Sequence, residues 1–281
     1  MFVDFTINIL YAFEWLVQES LQMLNNILTM SLSDFAPGAY YLSRQVSNAL
    51  TGIGLGILML LWLIDILSTA VSLKAKNYEE VLKLFVMFIF GVGIVGSSFF
   101  LVTELFRFFQ WAMQIVSNVG NTALDGAMDF TEFITNTQDF VRSLRRMDER
   151  MIMFLFVAMF FISTVGAMLS IIFVPVSIFI QLYLYSAFSP IPLSTLTTSQ
   201  KQVGISFLKT YAGIVLQGAL VLFGLLLAQG FLTTDILSFA NIPLEGIMRM
   251  LGPMIALMIN IMVLQKCIKG AENFARVLTG G

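Results

Sequence analysis

Apolar residues run through this chain in stretches too long for an ordinary soluble helix, and its polar residues gather in a few places between them. From Met151 to Phe188 there is no charged residue at all. About 20 apolar residues cross the hydrocarbon core of a bilayer as a helix. On that measure the pattern predicts about five crossings, near residues 46–73, 81–106, 151–188, 205–231 and 247–263. As one helix the third would be roughly 57 Å long at 1.5 Å per residue, so it must tilt, protrude or bend, and Pro175 is the natural bend.

Residues 1–45 follow another rhythm. Asp4, Asn8, Glu14, Gln18, Gln22 and Asn25 recur every three or four positions, opposite Phe5, Ile9, Phe13, Leu16, Leu21 and Leu24. This is an amphipathic helix expected to lie in the membrane interface; the plainer alternative is a crossing whose polar residues face partner helices. Asp34-Phe35-Ala36-Pro37-Gly38 is a turn signal that ends it. Residues 112–150 again mix charge with an apolar stripe (Leu124, Ala127, Phe130, Ile134, Val141, Leu144) and read as surface amphipathic helices. The domain plan is therefore 1–45, an exported amphipathic helix; 46–111, crossings one and two; 112–150, exported amphipathic helices; and 151–281, crossings three to five with a proline-broken cytosolic segment at 189–199.

Composition makes the solvent lipid. Of 281 residues, 58% are hydrophobic and 11% charged, with mean hydropathy +0.89, against about 25% charged in soluble domains. The expected class is all-α, polytopic and membrane-integral. With no histidine and one cysteine, Cys267, a His-containing zinc site, a Ser-His-Asp triad and an intrachain disulfide are excluded. No catalytic, cofactor or metal site is expected, and the chain does not read as an enzyme. Met1-Phe2-Val3-Asp4 has no basic n-region, so the N-terminus is expected to be mature. A net charge of −2 carries no message about nucleic acid; distribution matters more. Every lysine (Lys74, Lys76, Lys83, Lys201, Lys209, Lys266, Lys269) falls on one side of the predicted crossings. The positive-inside rule makes that side the cytosol, with the C-terminus inside and the N-terminus exported. Arg142, Arg145, Arg146 and Arg150 fall on the other side, interleaved with Asp139, Asp148 and Glu149.

Four features invite a chemical reading. Gly91-Val92-Gly93-Ile94-Val95-Gly96 matches a dinucleotide fingerprint, but inside an apolar run its glycines read as helix-packing notches. Asp65 lies deep in the first crossing, where an acid costs roughly 2.5–3.5 kcal/mol. It is either a proton or ion relay or a hydrogen-bonded acid facing another helix or subunit; the scarcity of other buried charges favours the second. Gln181, Gln217 and Asn260 are expected to hydrogen-bond between helices. In Ser189-Pro190-Ile191-Pro192-Leu193, two prolines remove backbone donors and push Ser189 and Ile191 toward extended geometry. At membrane depth such a backbone needs shelter in protein or a wet cavity; as a cytosolic loop it needs none. Ser199 and Gln202 form a candidate capping box for the fourth crossing.

The stretch Tyr185-Ser186-Ala187-Phe188-Ser189-Pro190-Ile191-Pro192-Leu193-Ser194-Thr195-Leu196, with Ser206-Phe207-Leu208-Lys209-Thr210-Tyr211 and Leu216-Gln217-Gly218, resembles the TrbL-type polytopic channel component of type IV secretion and conjugation systems, in the compact form found in Gram-positive conjugative elements. The resemblance implies a channel or assembly subunit in the bacterial cell membrane. It implies a homo-oligomer working with secretion ATPases and pilin-like or small membrane subunits, and passing single-stranded DNA with its bound relaxase. Lys201 and Lys209 would then sit at the cytosolic mouth, near a phosphate backbone; the plainer reading is that they only obey the positive-inside rule. The competing class is a small-solute secondary transporter with its site at 189–193, although the first half holds no counterpart to that segment.

Overall fold

The computed structural model of the protein describes residues 2–72, 78–123, 131–144 and 146–232, together with 262–263, 265–267, 269–270 and 273. Among the described residues every regular element is a helix: α1 (Phe2–Thr29), α2 (Leu32–Phe35), α3 (Pro37–Ser72), α4 (Tyr78–Gly96), α5 (Ser98–Ala123), α6 (Thr131–Ser143), α7 (Met147–Phe188), α8 (Pro190–Leu193) and α9 (Lys201–Leu232). Four stretches are long and apolar enough to cross a membrane: Pro37–Ala70, Ser98–Asn118, Met147–Phe188 and Lys201–Leu227. The protein is an all-α polytopic membrane protein. The crossing expected at 247–263, and Asn260 with it, lies outside the described residues apart from Met262 and Val263.

The chain divides into two compact units. The first takes in Met1–Thr29, Met113–Val176 and Leu220–Asn273. In it α1 buries Leu10, Phe13, Val17, Leu21 and Leu24, a stripe at helical spacing, while Phe5 stays 54% exposed. Phe13 meets Phe160 of α7 with ring centroids 5.1 Å apart, and Ser117 Oγ donates to Asn25 Oδ1 at 2.9 Å. α6 packs along α1. The arginine cluster is used locally: Arg150 Nε donates to the Leu144 carbonyl at 2.7 Å, and Arg146 pairs with Asp148 at 3.4 Å. That pair is exposed and contributes little.

The second unit takes in Met30–Ala112, Ser177–Ala219 and Phe274–Gly281. Pro37 opens α3 directly after the break at Ala36, ahead of the expected start near residue 46. Proline suits that first position because its missing N–H has no helical partner there. α4 runs back along α3. Trp62 Nε1 donates to the Leu84 carbonyl at 3.1 Å, and its ring lies 5.1 Å from Phe85 and 4.6 Å from Phe88. Nearer the start of α3, Tyr40 meets Phe99, at the start of α5, at 5.4 Å.

The stretch expected to cross at 81–106 is interrupted at Ser97, and the helix beyond it runs on to Ala123, past the predicted boundary at 111. The cause is local. Gly93 O accepts both Ser97 N, at 3.0 Å, and Ser97 Oγ, at 2.7 Å. A glycine–serine pair with a back-bonding hydroxyl is a common site of helix bending. The region 112–150 is accordingly the end of α5, then α6, then the first turn of α7. Glu104 and Arg107, one turn apart on α5, pair at 2.7 Å. α7 continues through Pro175 and passes from the first unit to the second at Val176, directly after it.

Trp62 joins α3 to α4 by one hydrogen bond and two ring contacts. Replacing it with Leu is expected to lower stability by about 1–3 kcal/mol, with Trp62→Phe intermediate because it keeps an aromatic ring but loses the hydrogen bond and part of the ring surface. Unfolding of the purified variants in a denaturing-detergent titration measures both.

Candidate functional site

The site grows out of one missing hydrogen. In a continuous helix the N–H of residue 190 would bond the carbonyl of Ser186, and Pro190 has none. Ser189 supplies the replacement twice over: its N–H reaches Ser186 O at 3.4 Å and its hydroxyl donates to the same oxygen at 2.8 Å. Ser189 is therefore helical, at φ −54 and ψ −33, and not extended as its position before proline suggests. Complete burial and the two bonds to Ser186 hold it against that preference.

The same device repeats up the segment. Ser194 Oγ donates to Ile191 O at 2.6 Å, Thr195 Oγ1 to Pro192 O at 2.8 Å and Thr198 Oγ1 to Thr195 O at 2.9 Å. Each hydroxyl reaches back three residues. Two also accept at the mouth of α9: Thr195 Oγ1 takes the N–H of Gly204 at 2.9 Å and Thr198 Oγ1 that of Gln200 at 3.3 Å. These bonds replace the expected Ser199–Gln202 capping box, which is not formed among the described residues. A helix entrance leaves up to four N–H groups unmatched, and the hydroxyl-rich sequence of 194–199 meets that demand.

Helices close around this segment at glycines. α8 packs against α3 and α4. A Cβ on Gly54 would lie 2.6 Å from the Pro190 carbonyl oxygen, one on Gly204 2.7 Å from the Leu196 side chain, and one on Gly91 would collide with Thr197 Oγ1. Of the three glycines in the 91–96 stretch only Gly91 is a packing notch; Gly93 and Gly96, like Gly52 and Gly56 on α3, have open space beside them. Gly54 falls near the middle of α3, the part of a crossing helix deepest in the bilayer. The proline-broken segment is thus sheltered by protein, packed against the middle of an apolar helix long enough to cross a membrane, which is the shelter a broken backbone needs at membrane depth.

Asp65 lies about 16 Å further along α3 at 1.5 Å per residue. It is 9% exposed, and its Oδ2 accepts the N–H of Ser199 at 2.9 Å. The acid in the first crossing is a cap that ties the far end of the broken segment to α3. Beside it opens a cavity of about 450 Å³ whose polar lining includes Asp65, Ser68, Glu80, Lys83 and Lys201, over Leu84, Met87 and Leu196. Among the described residues no cluster of His, Cys, Asp and Glu is arranged to hold a metal ion.

The other predicted residues are scattered. Gln181 bonds Ser177 on its own helix, at 3.4 Å, instead of a neighbouring helix, because it stands on a partly exposed face of α7. Gln217 is buried on α9. Lys201 lines the cavity, and Lys209 is exposed and does not line it. Ser189, Pro190 and Pro192 come together with Asp65 through the segment they build. Tyr211, fully buried with its hydroxyl 3.5 Å from Ser186 Oγ, lies in a stretch that carries the resemblance, but nothing in an apolar helix marks it as the partner of a distant serine. No protein family, no characterised protein and no solved structure matches the chain.

Two substitution pairs test this geometry. Gly54→Ala is expected to destabilise by about 1–3 kcal/mol through overpacking against Pro190, whereas Gly52→Ala should be neutral or gain up to about 1 kcal/mol. Asp65→Leu leaves the Ser199 N–H unmatched, at a cost of about 1–3 kcal/mol. Asp65→Asn keeps an acceptor oxygen and should retain most of the stability. Thermal melting of the purified variants reads all four.

Proposed function

We propose that the chain is an integral channel or assembly subunit of a type IV secretion machine that transfers DNA between bacteria. In this reading it sits in the cell membrane with its N-terminus exported and its C-terminus in the cytosol, forms a homo-oligomer, and works beside secretion ATPases and pilin-like or small membrane subunits. The observation that carries the reading is the mutual packing of the residues behind the resemblance. Tyr185 meets Phe207 at 5.7 Å, Phe207 meets Tyr211 at 6.5 Å, and Ser186 reaches Tyr211. Together with Ser189–Leu196 they form one structural element and not a scatter of matching letters.

The chemistry of such a subunit is non-covalent. The exposed Lys201 and Lys209 offer positive charge that a phosphate backbone would meet, and a ring of subunits multiplies it. The alternative, a small-solute secondary transporter, draws support from the cavity of about 450 Å³ beside the broken segment, a size suited to a small molecule. Against it, the interruption at Ser97 in the first half keeps its backbone bonds, Ser97 N to Gly93 O at 3.0 Å and Leu101 N to Ser97 O at 2.9 Å. It is no counterpart to the proline break, whereas transporters commonly carry such breaks in both halves.

Deleting the gene in a donor cell is expected to abolish DNA transfer while growth stays normal, and Asp65→Asn is expected to restore transfer on complementation. Normal transfer by the deletion strain would overturn the proposal. Solute exchange by the purified protein in liposomes would favour the alternative.

A further inference from the structure

The charges around the cavity beside Asp65 are of both signs and are not joined in ion pairs among the described residues. Glu80, Lys83 and Lys201 are exposed. Asp65 differs, since its Oδ2 is already held by the Ser199 N–H. The charged lining therefore comprises two acids and two lysines, balanced overall, which suits a ligand carrying both an anion and a cation better than a net anion.

Position narrows the ligand further. The cavity collects the last turns of the apolar stretch Pro37–Ala70, the first turns of α4 and the first residue of α9. Such a level, where apolar helices give way to charge, is the depth of lipid headgroups. Its apolar floor, Leu84 and Met87, belongs to α4, where the exposed Phe90 follows Met87 on the same side of the helix. That surface is where acyl chains would run while the headgroup sat in the cavity.

The geometry points to a binding site for a zwitterionic aminophospholipid, with the phosphate between Lys83 and Lys201 and the ammonium on Glu80. The hydroxyl of Ser68 is engaged with its own helix, donating to Asp65 O at 2.8 Å, so the charges select the headgroup, with the hydroxyls of Thr197 and Ser199 beside them in the lining. The inference does not depend on the DNA-transfer proposal. A lipid held here would fasten the Asp65 end of the broken segment to α4, whichever cargo the protein serves.

The test is native mass spectrometry of the purified full chain from detergent micelles doped equally with dioleoyl-phosphatidylethanolamine and dioleoyl-phosphatidylglycerol. Phosphatidylethanolamine is expected to be retained preferentially. The Lys83→Gln/Lys201→Gln double variant and Glu80→Gln should each weaken retention roughly tenfold, since each removes charge-assisted hydrogen bonds. Lys209→Gln, which changes an exposed lysine outside the cavity, should retain lipid as the wild type does. All the altered side chains are exposed, and Lys83→Met/Lys201→Met provides a second pair that keeps the apolar stems. Equal retention of phosphatidylglycerol, or unchanged retention in the cavity variants, overturns the proposal. So does displacement of the lipid by free phosphoethanolamine at the lipid's own concentration, because the site would then read the soluble group alone.

Discussion

A peptide group without a partner costs several kcal/mol in hydrocarbon, and the segment between α7 and α9 places a broken backbone against the middle of α3. Everything distinctive in the second unit follows from meeting that cost. Pro190 takes away the donor for Ser186 O, and Ser189 restores two. Thr195 and Thr198 each close one carbonyl behind them and accept one N–H ahead of them. The last N–H, that of Ser199, is handed to a different helix through Asp65. No single bond here exceeds about 1.5 kcal/mol net if both partners are neutral; the penalty for leaving several unmade is what keeps the segment in one conformation.

Packing is subordinate to this chain of bonds. A carbonyl such as that of Pro190 has to come close to α3 for the short helix to fit, and only a residue without a Cβ permits it at position 54. The same reasoning holds for Gly91 against Thr197 and Gly204 against Leu196. These glycines sit in helices, where each costs up to about 1 kcal/mol relative to alanine. They are tolerable because the alternative is to push a hydrogen-bonded segment away from its shelter. Glycines without such a neighbour, Gly52 and Gly56 on α3 and Gly93 on α4, have no comparable reason in the structure.

The fold class was legible because its signal is cumulative: long uncharged runs need no tertiary knowledge to be read. The proline break and the unusual acid at 65 were also legible as anomalies, since each violates a strong local rule. What could not be read was that the two anomalies answer each other across more than a hundred residues of chain, Asp65 capping Ser199. Helix ends failed for a different reason. The interruption at Ser97 depends on one hydroxyl and one carbonyl, an energy too small to show against a continuous apolar pattern, so 81–106 looked like one helix. Ser189 was expected extended because the rule for residues before proline describes a chain without tertiary support, and here burial supplies that support.

The satisfaction of the broken segment bears on what it can do. In a transporter, unwound backbone groups at the break serve the solute or its coupling ion, which requires that some of them be free. Here the carbonyls of Ser186, Ile191, Pro192 and Thr195 are each taken by a hydroxyl three residues on, and the N–H groups of Ser199 and Gly204 are taken as well. A segment so occupied offers a ligand few backbone groups, while the hydroxyl of Thr197 in it has no hydrogen-bond partner among the described residues. The charged chemistry belongs to the flanking helices, in Glu80, Lys83 and Lys201 at the cavity. Backbone groups already bonded within the protein have to exchange those bonds before they can serve a solute, so any ligand chemistry at this segment falls first to the charged side chains at its rim.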